Sequence, residues 1–119
     1  MCMNYKNLWP YKIPKKDYYK LRSISSQMKD TYSIGREGIK DTTIKDLKML
    51  LKKYGMIKIR LQRGSRLDKD RFELAEELAK KVGAIIIDIR GFTVTLALDD
   101  PSYARSIIKG TRVPPGLEK

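Results

Sequence analysis

Two glycines spaced three residues apart, Gly35 and Gly38, are the part of this sequence whose residue types most directly imply chemistry. They follow a short apolar run, Tyr32-Ser33-Ile34, and a lysine-rich segment with helical periodicity comes directly after them. Glycine lets a backbone approach a ligand closely, and the N-terminus of a following helix presents free N–H groups to an anion. The chain has 26 lysines and arginines against 14 aspartates and glutamates, so nucleic-acid phosphate is the first anion to consider.

The sequence offers little for catalysis or for metal binding. Histidine is absent and Cys2 is the single cysteine, which excludes an internal disulfide, a cysteine metal cluster and histidine-based acid–base chemistry. The carboxylates of Asp41, Asp46 and Asp88 are scattered along the chain, and no nucleophile–base pair is apparent. We therefore expect a protein that is not an enzyme and that uses no metal or cofactor.

The positive charge is concentrated in the first part of the chain. Residues 1–67 hold 17 lysines and arginines against 5 acidic residues, whereas residues 68–119 hold 9 of each, for a total net charge of +12. A one-sided excess of this kind favours docking against a polyanion over charge that only keeps the protein in solution.

Length and hydropathy indicate one domain. With 119 residues the chain has room for a single core, and no apolar stretch reaches the roughly 20 residues that would span a bilayer. The first residues, Met1 to Lys6, lack the apolar core of a signal peptide. We expect a soluble, cytoplasmic protein, and we favour a monomer.

The apolar periodicity predicts the elements that must position the glycines. The clearest is a helix over Thr42–Tyr54, where Ile44, Leu47 and Leu51 form an inward stripe. Strict alternation over Met56–Gln62 predicts a half-buried strand. The remaining predicted elements are a first helix from about Pro14, a strand over 31–34, a third helix over 69–82, and two strands over 84–90 and 92–98 joined around Gly91.

This order, α-β-α-β-α-β-β, predicts an α+β fold with a mixed four-stranded sheet and helices on one face. The other face of the sheet would show Lys58, Arg60, Asp88, Thr93 and Thr95. We divide the chain into an N-terminal arm (1–13), the domain (14–98) and a C-terminal tail (99–119) that could begin with a short helix at Asp100-Pro101 and then be flexible.

From about Ile13 to Leu98 the chain resembles the CRM domain, found in YhbY-type ribosome-associated proteins and in chloroplast RNA-splicing factors. The shared features are a basic first helix holding Leu21-Arg22, a strand running into Ile34-Gly35-Arg36-Glu37-Gly38-Ile39, a helix ending Leu51-Lys52-Lys53-Tyr54-Gly55, the strand Met56-Ile57-Lys58-Ile59-Arg60-Leu61, a helix ending Ala79-Lys80-Lys81-Val82-Gly83-Ala84, and a hairpin with Arg90-Gly91.

The resemblance implies an RNA-binding module with a fold similar to the C-terminal domain of bacterial initiation factor three and a glycine loop similar to that of KH domains. Its members act in large-subunit ribosome assembly or in intron splicing, and a stand-alone member is more similar to the assembly type. The implied partner is ribosomal RNA or a pre-ribosomal particle. Glu37 departs from the family, which commonly has basic or neutral residues inside the loop, and its carboxylate opposes phosphate.

The candidate RNA-binding residues follow from this comparison and from the helix periodicity. Gly35 and Gly38 would let the RNA backbone lie against the loop, while Arg36 and Lys40 pair with phosphates. Lys45, Lys48 and Lys52 lie opposite the inward stripe of the second helix and could follow the strand. Second-tier candidates are Arg22, Lys58 and Arg60.

The sequence is also compatible with other functions. The main alternative is a small basic DNA-binding protein of the chromatin type, which can share this α/β plan and charge. Charge alone is also compatible with docking on a membrane surface or on a protein. The lysines of the second helix could be only a solvated face, and the two glycines only turn residues.

Overall fold

The computed structural model describes residues 9–35, 38–61 and 71–117, which form four helices around a four-stranded sheet. The elements are α1 (Lys15–Ser25), β1 (Tyr32–Ile34), α2 (Asp41–Tyr54), β2 (Met56–Leu61), α3 (Arg71–Val82), β3 (Ile85–Arg90), β4 (Thr93–Ala97) and α4 (Pro101–Lys109). The order of strands in the sheet is β1-β2-β4-β3. Strands β1 and β2 are parallel, and the other two pairings are antiparallel. The predicted α+β class and mixed four-stranded sheet are confirmed.

Helices cover both faces of the sheet, so the predicted placement of all helices on one face is wrong. Helices α2 and α3 pack on the face formed by side chains such as Ile57, Ile59 and Val94. Helix α1 packs with α4 on the opposite face, over a second core that includes Met56 and Ala97. The sheet therefore separates an α2/α3 layer from an α1/α4 layer.

Polar side chains at alternate strand positions had suggested that this second face of the sheet is exposed to solvent, which is why helices were predicted on one face only. Thr95 is instead 1% exposed, and its hydroxyl shares a hydrogen bond of 2.6 Å with the hydroxyl of Ser25 in α1. Asp88 is largely covered as well, and Arg22 of α1 forms an ion pair with it. The polar groups of the sheet are thus matched by polar groups of a helix, which makes their burial tolerable.

A bulge in β3 also changes which residues line this second core. The register shifts between Ile86 and Asp88 where β3 pairs with β4, and Ile87 is the extra residue. A strict alternation would place Ile85, Ile87 and Ile89 on one face. The bulge instead leaves Ile85 and Ile87 in the α1/α4 core and Ile89 in the α2/α3 core.

Residues near both ends of the described chain pack on the same domain. Ile13 is fully buried, and the Asp99 carboxylate accepts hydrogen bonds from the amides of Lys12 (2.8 Å) and Ile13 (3.1 Å). Helix α4 begins at a capped N-terminus, where the Asp100 side chain accepts from the amide of Ser102. Its Ile107 is buried in the second core.

Candidate nucleic-acid interface

The glycine loop closes a tight turn between β1 and α2. The amide of Gly38 donates to the carbonyl of Gly35 at 3.1 Å, and Gly38 has a φ of 82°. An L side chain rarely adopts this backbone conformation, so glycine suits the position. Gly38 is buried and Gly35 is half-buried. The candidate Arg36 and the acidic Glu37, which lie between them, are outside the described residues.

Helix α2 begins directly after this turn. Lys40 is its N-cap residue, and the Lys40 amide donates to the hydroxyl of Thr43 at 3.3 Å. Asp41 is exposed in the first turn, where its carboxylate interacts favourably with the positive end of the helix dipole. A phosphate that approached this helix end would therefore meet both backbone N–H groups and a carboxylate.

Three lysines of α2 form one exposed row, which we name the lysine stripe: Lys45, Lys48 and Lys52. Their spacing by three and four residues places them one above another along the helix. Leu47 and Leu51, on the opposite side, are fully buried. Across residues 9–35, 38–61 and 71–117, no carboxylate forms an ion pair with a lysine of the stripe. The stripe is a row of exposed positive charges that begins on the second turn of α2, seven residues after Gly38.

Asp46 lies on a different side of α2 from the stripe. Its carboxylate accepts a hydrogen bond from the hydroxyl of Tyr32 in β1, at 3.2 Å. Burial and this hydrogen bond raise the pKa of Tyr32 above its ordinary value. The contact connects α2 to the edge strand that leads into the glycine loop.

The second-tier candidates lie across the sheet from α2. Arg22 contacts Asp88 at 3.3 Å, and Arg60 lies 3.9 Å from Asp30. The ammonium of Lys58 donates to two carbonyls at the end of α1, that of the last helical residue Ser25 (3.0 Å) and that of Met28 (3.1 Å), three residues further on. The glycine loop and the lysine stripe thus belong to one turn and the helix that follows it, whereas Arg22, Lys58 and Arg60 have their partners in Asp88, at the end of α1 and in Asp30.

Arg90 is a neighbour of this second group that the sequence reasoning missed. Its guanidinium lies 3.7 Å from Asp88, beside the Arg22 pair. Two arginines around one largely covered carboxylate leave net positive charge at this end of the sheet. The alternation in β3 indicated that Asp88 and Arg90 share a face, but the approach of α1 to that face had no signal in the sequence.

The aromatic residues of the N-terminal segment form a packed cluster. Tyr11 and Tyr18 are stacked, with ring centroids 5.6 Å apart, and the Trp9 ring meets each of them edge-on at 5.2 Å. The hydroxyl of Tyr18 donates to the carbonyl of Ile86 at 2.8 Å, and burial raises the pKa of Tyr18. The cluster holds the N-terminal segment against α1 and β3.

The described part of the chain has neither a membrane-spanning helix nor a cluster of metal-binding side chains. No helix there is long and apolar enough to cross a membrane. Within the same residues, no group of three or more acidic or cysteine side chains is arranged to hold a metal ion.

Comparison with known proteins gives a family and a fold. The chain is 32% identical over 76 residues to the Methanocaldococcus jannaschii protein named "Probable RNA-binding protein MJ0652", a match that covers 64% of this chain and 56% of that relative. The solution structure of the hypothetical protein SAV1595 from Staphylococcus aureus is similar, with a TM-score of 0.61 at 24% identity, over 74% of this chain and 90% of that chain. The CRS1 / YhbY (CRM) domain matches residues 13–97, from the start of the buried N-terminal segment to the end of β4. The chain is therefore a member of the CRS1/YhbY (CRM) domain family.

Proposed function

We propose that this protein binds RNA through the phosphate backbone, using the glycine loop and the lysine stripe of α2 as one continuous surface. The observation that carries the proposal is the exposed lysine stripe of a CRM-domain chain, which has no ion-pair partner among the described residues and lies on the helix that follows the Gly35–Gly38 turn. The name of the archaeal relative supports RNA as the ligand. No catalytic step is part of the proposal.

Each part of the surface has a separate task. The Gly35–Gly38 turn lets the RNA backbone come close, and Arg36 and Lys40 pair with phosphates beside it. Lys45 and Lys52 are seven residues apart, which is about 10 Å along a helix, so the stripe extends the contact along a strand. Glu37 and Asp41 oppose phosphate and limit the strength of binding at the loop.

Recognition by backbone and shape follows from how the aromatic side chains are used. Trp9, Tyr11 and Tyr18 pack on one another, and Tyr32 is hydrogen bonded to Asp46. Tyr54 lies beneath the ammonium of Lys53. These side chains are engaged within the protein. Tyr19, Phe72 and Phe92 are exposed, but none of them belongs to the glycine loop or to α2, so we expect little base stacking and little reading of sequence at the lysine stripe.

We propose ribosomal RNA as the ligand and assembly of the large ribosomal subunit, in the cytoplasm, as the process. The family resemblance supports this narrower step. Arg22 and Arg60 could add contacts with a part of the RNA that reaches the other side of the sheet. Lys58 has its ammonium on protein carbonyls and contributes through the fold.

The test is binding of ribosomal RNA fragments and of duplex DNA across a salt series. We compare the wild type with Lys45→Gln/Lys48→Gln/Lys52→Gln and with a control on the neighbouring helix, Arg71→Gln/Lys80→Gln/Lys81→Gln. Each phosphate contact contributes about −0.7 to the log–log salt slope for single-stranded RNA, so loss of three contacts reduces the slope by about 2. We expect this reduction in the stripe variant, with weaker binding, and a near wild-type slope in the control.

Two results would contradict the proposal. Equal or tighter binding of duplex DNA would favour the alternative of a chromatin-type protein. A stripe variant that behaves like the α3 control would show that the lysines are only a solvated helix face.

A further inference from the structure

A second basic surface lies between α1 and α4, on the side of the sheet opposite α2. A groove of about 370 Å³ separates the two helices there. Lys16 and Lys20 line it from α1, and Arg105 and Lys109 line it from α4. Ile108 contributes an apolar wall, and Asp17 is the acidic residue among the described lining. We name this feature the α1–α4 groove.

The four cations are arranged in a way that is unfavourable without an anion. Lys16 and Lys20 are four residues apart on α1, as are Arg105 and Lys109 on α4, and like charges at this spacing on a helix repel each other. Packing α1 against α4 then brings the two pairs to one groove. All four side chains are exposed, and none forms an ion pair within the described residues.

Within the described residues, the acidic residues next to α4 in sequence form no ion pair with these four cations. Asp99 accepts hydrogen bonds from the amides of Lys12 and Ile13, and Asp100 caps α4 by accepting from the amide of Ser102. Both carboxylates are therefore directed to backbone amides. Residues 68–119 carry no net charge as a whole, yet the α1–α4 groove has four cations and one described carboxylate in its lining.

The groove is separate from the surface proposed above. The α1/α4 layer and the α2/α3 layer lie on opposite faces of the sheet. Arg105 and Lys109 also lie beyond residue 97, where the family match ends. Helix α4 also meets the C-terminal end of α2, where the Tyr103 hydroxyl donates to the carbonyl of Lys52. Tyr103 and Arg105 are two residues apart, so they lie on different sides of α4, and the groove faces away from the stripe.

We propose that the α1–α4 groove is a second phosphate-binding surface, through which the protein holds a second segment of RNA while the lysine stripe holds the first. This inference rests on the proposed function. Solvated lysine and arginine side chains around a groove with an apolar wall suit a phosphodiester backbone and its ribose. The consequence is that one protein molecule bridges two RNA segments.

The experiment measures bridging directly. Two RNA hairpins, one with a donor dye and one with an acceptor, are mixed in equal amounts and titrated with protein. For wild type we expect energy transfer to rise and then fall in excess protein, because each hairpin then binds its own molecule. In Lys20→Gln/Arg105→Gln, loss of two phosphate contacts should weaken binding of the second hairpin about tenfold near 0.15 M salt. Binding of a single hairpin should change much less.

The matched control is Lys80→Gln/Lys81→Gln, which removes the same charge from α3 and should bridge like wild type. Wild-type protein that binds one hairpin but never bridges would overturn the inference and leave the proposed function intact. Equal bridging by the groove variant and the control variant would also overturn the inference, because a dimer that binds one hairpin per subunit would give that result. A groove variant that loses binding only to phosphatidylglycerol vesicles would assign the groove to a membrane surface and overturn it. Wild type that binds no RNA at low salt would refute the proposed function itself.

Discussion

Lys58 shows how a charged side chain on a strand can belong to the fold. It extends from β2 towards the end of α1, and its ammonium donates to two carbonyls there, those of Ser25 and Met28. Ser25 ends α1, so its carbonyl lies at the negative end of the helix dipole, and it also accepts from the amide of Met28. The Met28 carbonyl lies three residues beyond the helix. The ammonium therefore satisfies hydrogen-bonding groups and stabilises the dipole of α1 at once.

Replacing this ammonium should lower stability and leave RNA binding unchanged. Lys58→Met keeps most of the side-chain volume and removes hydrogen bonds from a charged donor, so we expect the free energy of unfolding to fall by about 1–3 kcal/mol. Urea denaturation measures the loss. Arg60→Met is the control from the same strand face, where the exposed Arg60 pair with Asp30 at 3.9 Å should contribute less than about 1 kcal/mol. A stable Lys58→Met protein with weakened RNA binding would reverse this assignment.

Among the elements, α2 is held at its C-terminus by groups from the far end of the chain. The hydroxyl of Tyr103 in α4 donates to the carbonyl of Lys52 at 2.9 Å, and Arg112 donates to the carbonyl of Lys53 at 2.6 Å. The helix ends at Gly55, whose φ is 81°. The helix that carries the lysine stripe thus depends on α4 for its anchoring.

Gly55→Ala should be more destabilising than Gly83→Ala. Both glycines have positive φ, 81° and 72°, so either substitution strains the backbone by about 1 kcal/mol or more. An added Cβ at Gly55 would also lie 2.8 Å from Cδ2 of Tyr103, whereas one at Gly83 would meet nothing within 4 Å. We expect the close contact to cost about 1–3 kcal/mol in addition. Thermal denaturation compares the two variants, and equal losses would contradict the packing of Tyr103 on Gly55.

At the scale of the whole molecule, two cores lie on either side of one sheet. The larger is built from α2, α3 and the strands, and its residues follow one another closely in sequence. The smaller requires α1, residues near Ile13 and α4, which come from opposite ends of the described chain. The segments outside the family match are therefore part of the packed molecule.

The larger core could be predicted from the sequence because its signals are local. Leu47 and Leu51 repeat with helical spacing, and Ile57 and Ile59 alternate with charged residues, so periodicity alone defines α2 and β2. The smaller core could not be predicted. Its polar layer of Ser25 and Thr95 depends on tertiary contacts between distant segments, and α4 is too short for its pattern to indicate what it packs against.

The candidate site divides in the same way. The lysine stripe follows from helix geometry, and the structure keeps it exposed as expected. Lys58 looks like a surface lysine in an alternating strand, and only the approach of α1 reveals its carbonyl partners. The α1–α4 groove could not be predicted because Lys16 and Lys20 lie more than eighty residues from Arg105 and Lys109 in sequence, and only the packing of α1 against α4 brings the four cations together.

The placement of α1 against β3, β4 and α4 has a consequence for the order of folding. Its contacts join residues far apart in sequence, 70 for Ser25 and Thr95, while the hydrogen bonds from Lys12 to Asp99 span 87. Closing loops of this length is entropically costly before the contacts form, so α1 should dock after the transition state.

Leu21→Ala should then mainly speed unfolding, whereas Leu47→Ala in α2 should also slow refolding, which stopped-flow measurements would distinguish. A Leu21→Ala variant that refolds as slowly as Leu47→Ala would contradict this order. As the chain is synthesised, α1 has to wait for its partners, because they emerge more than fifty residues later.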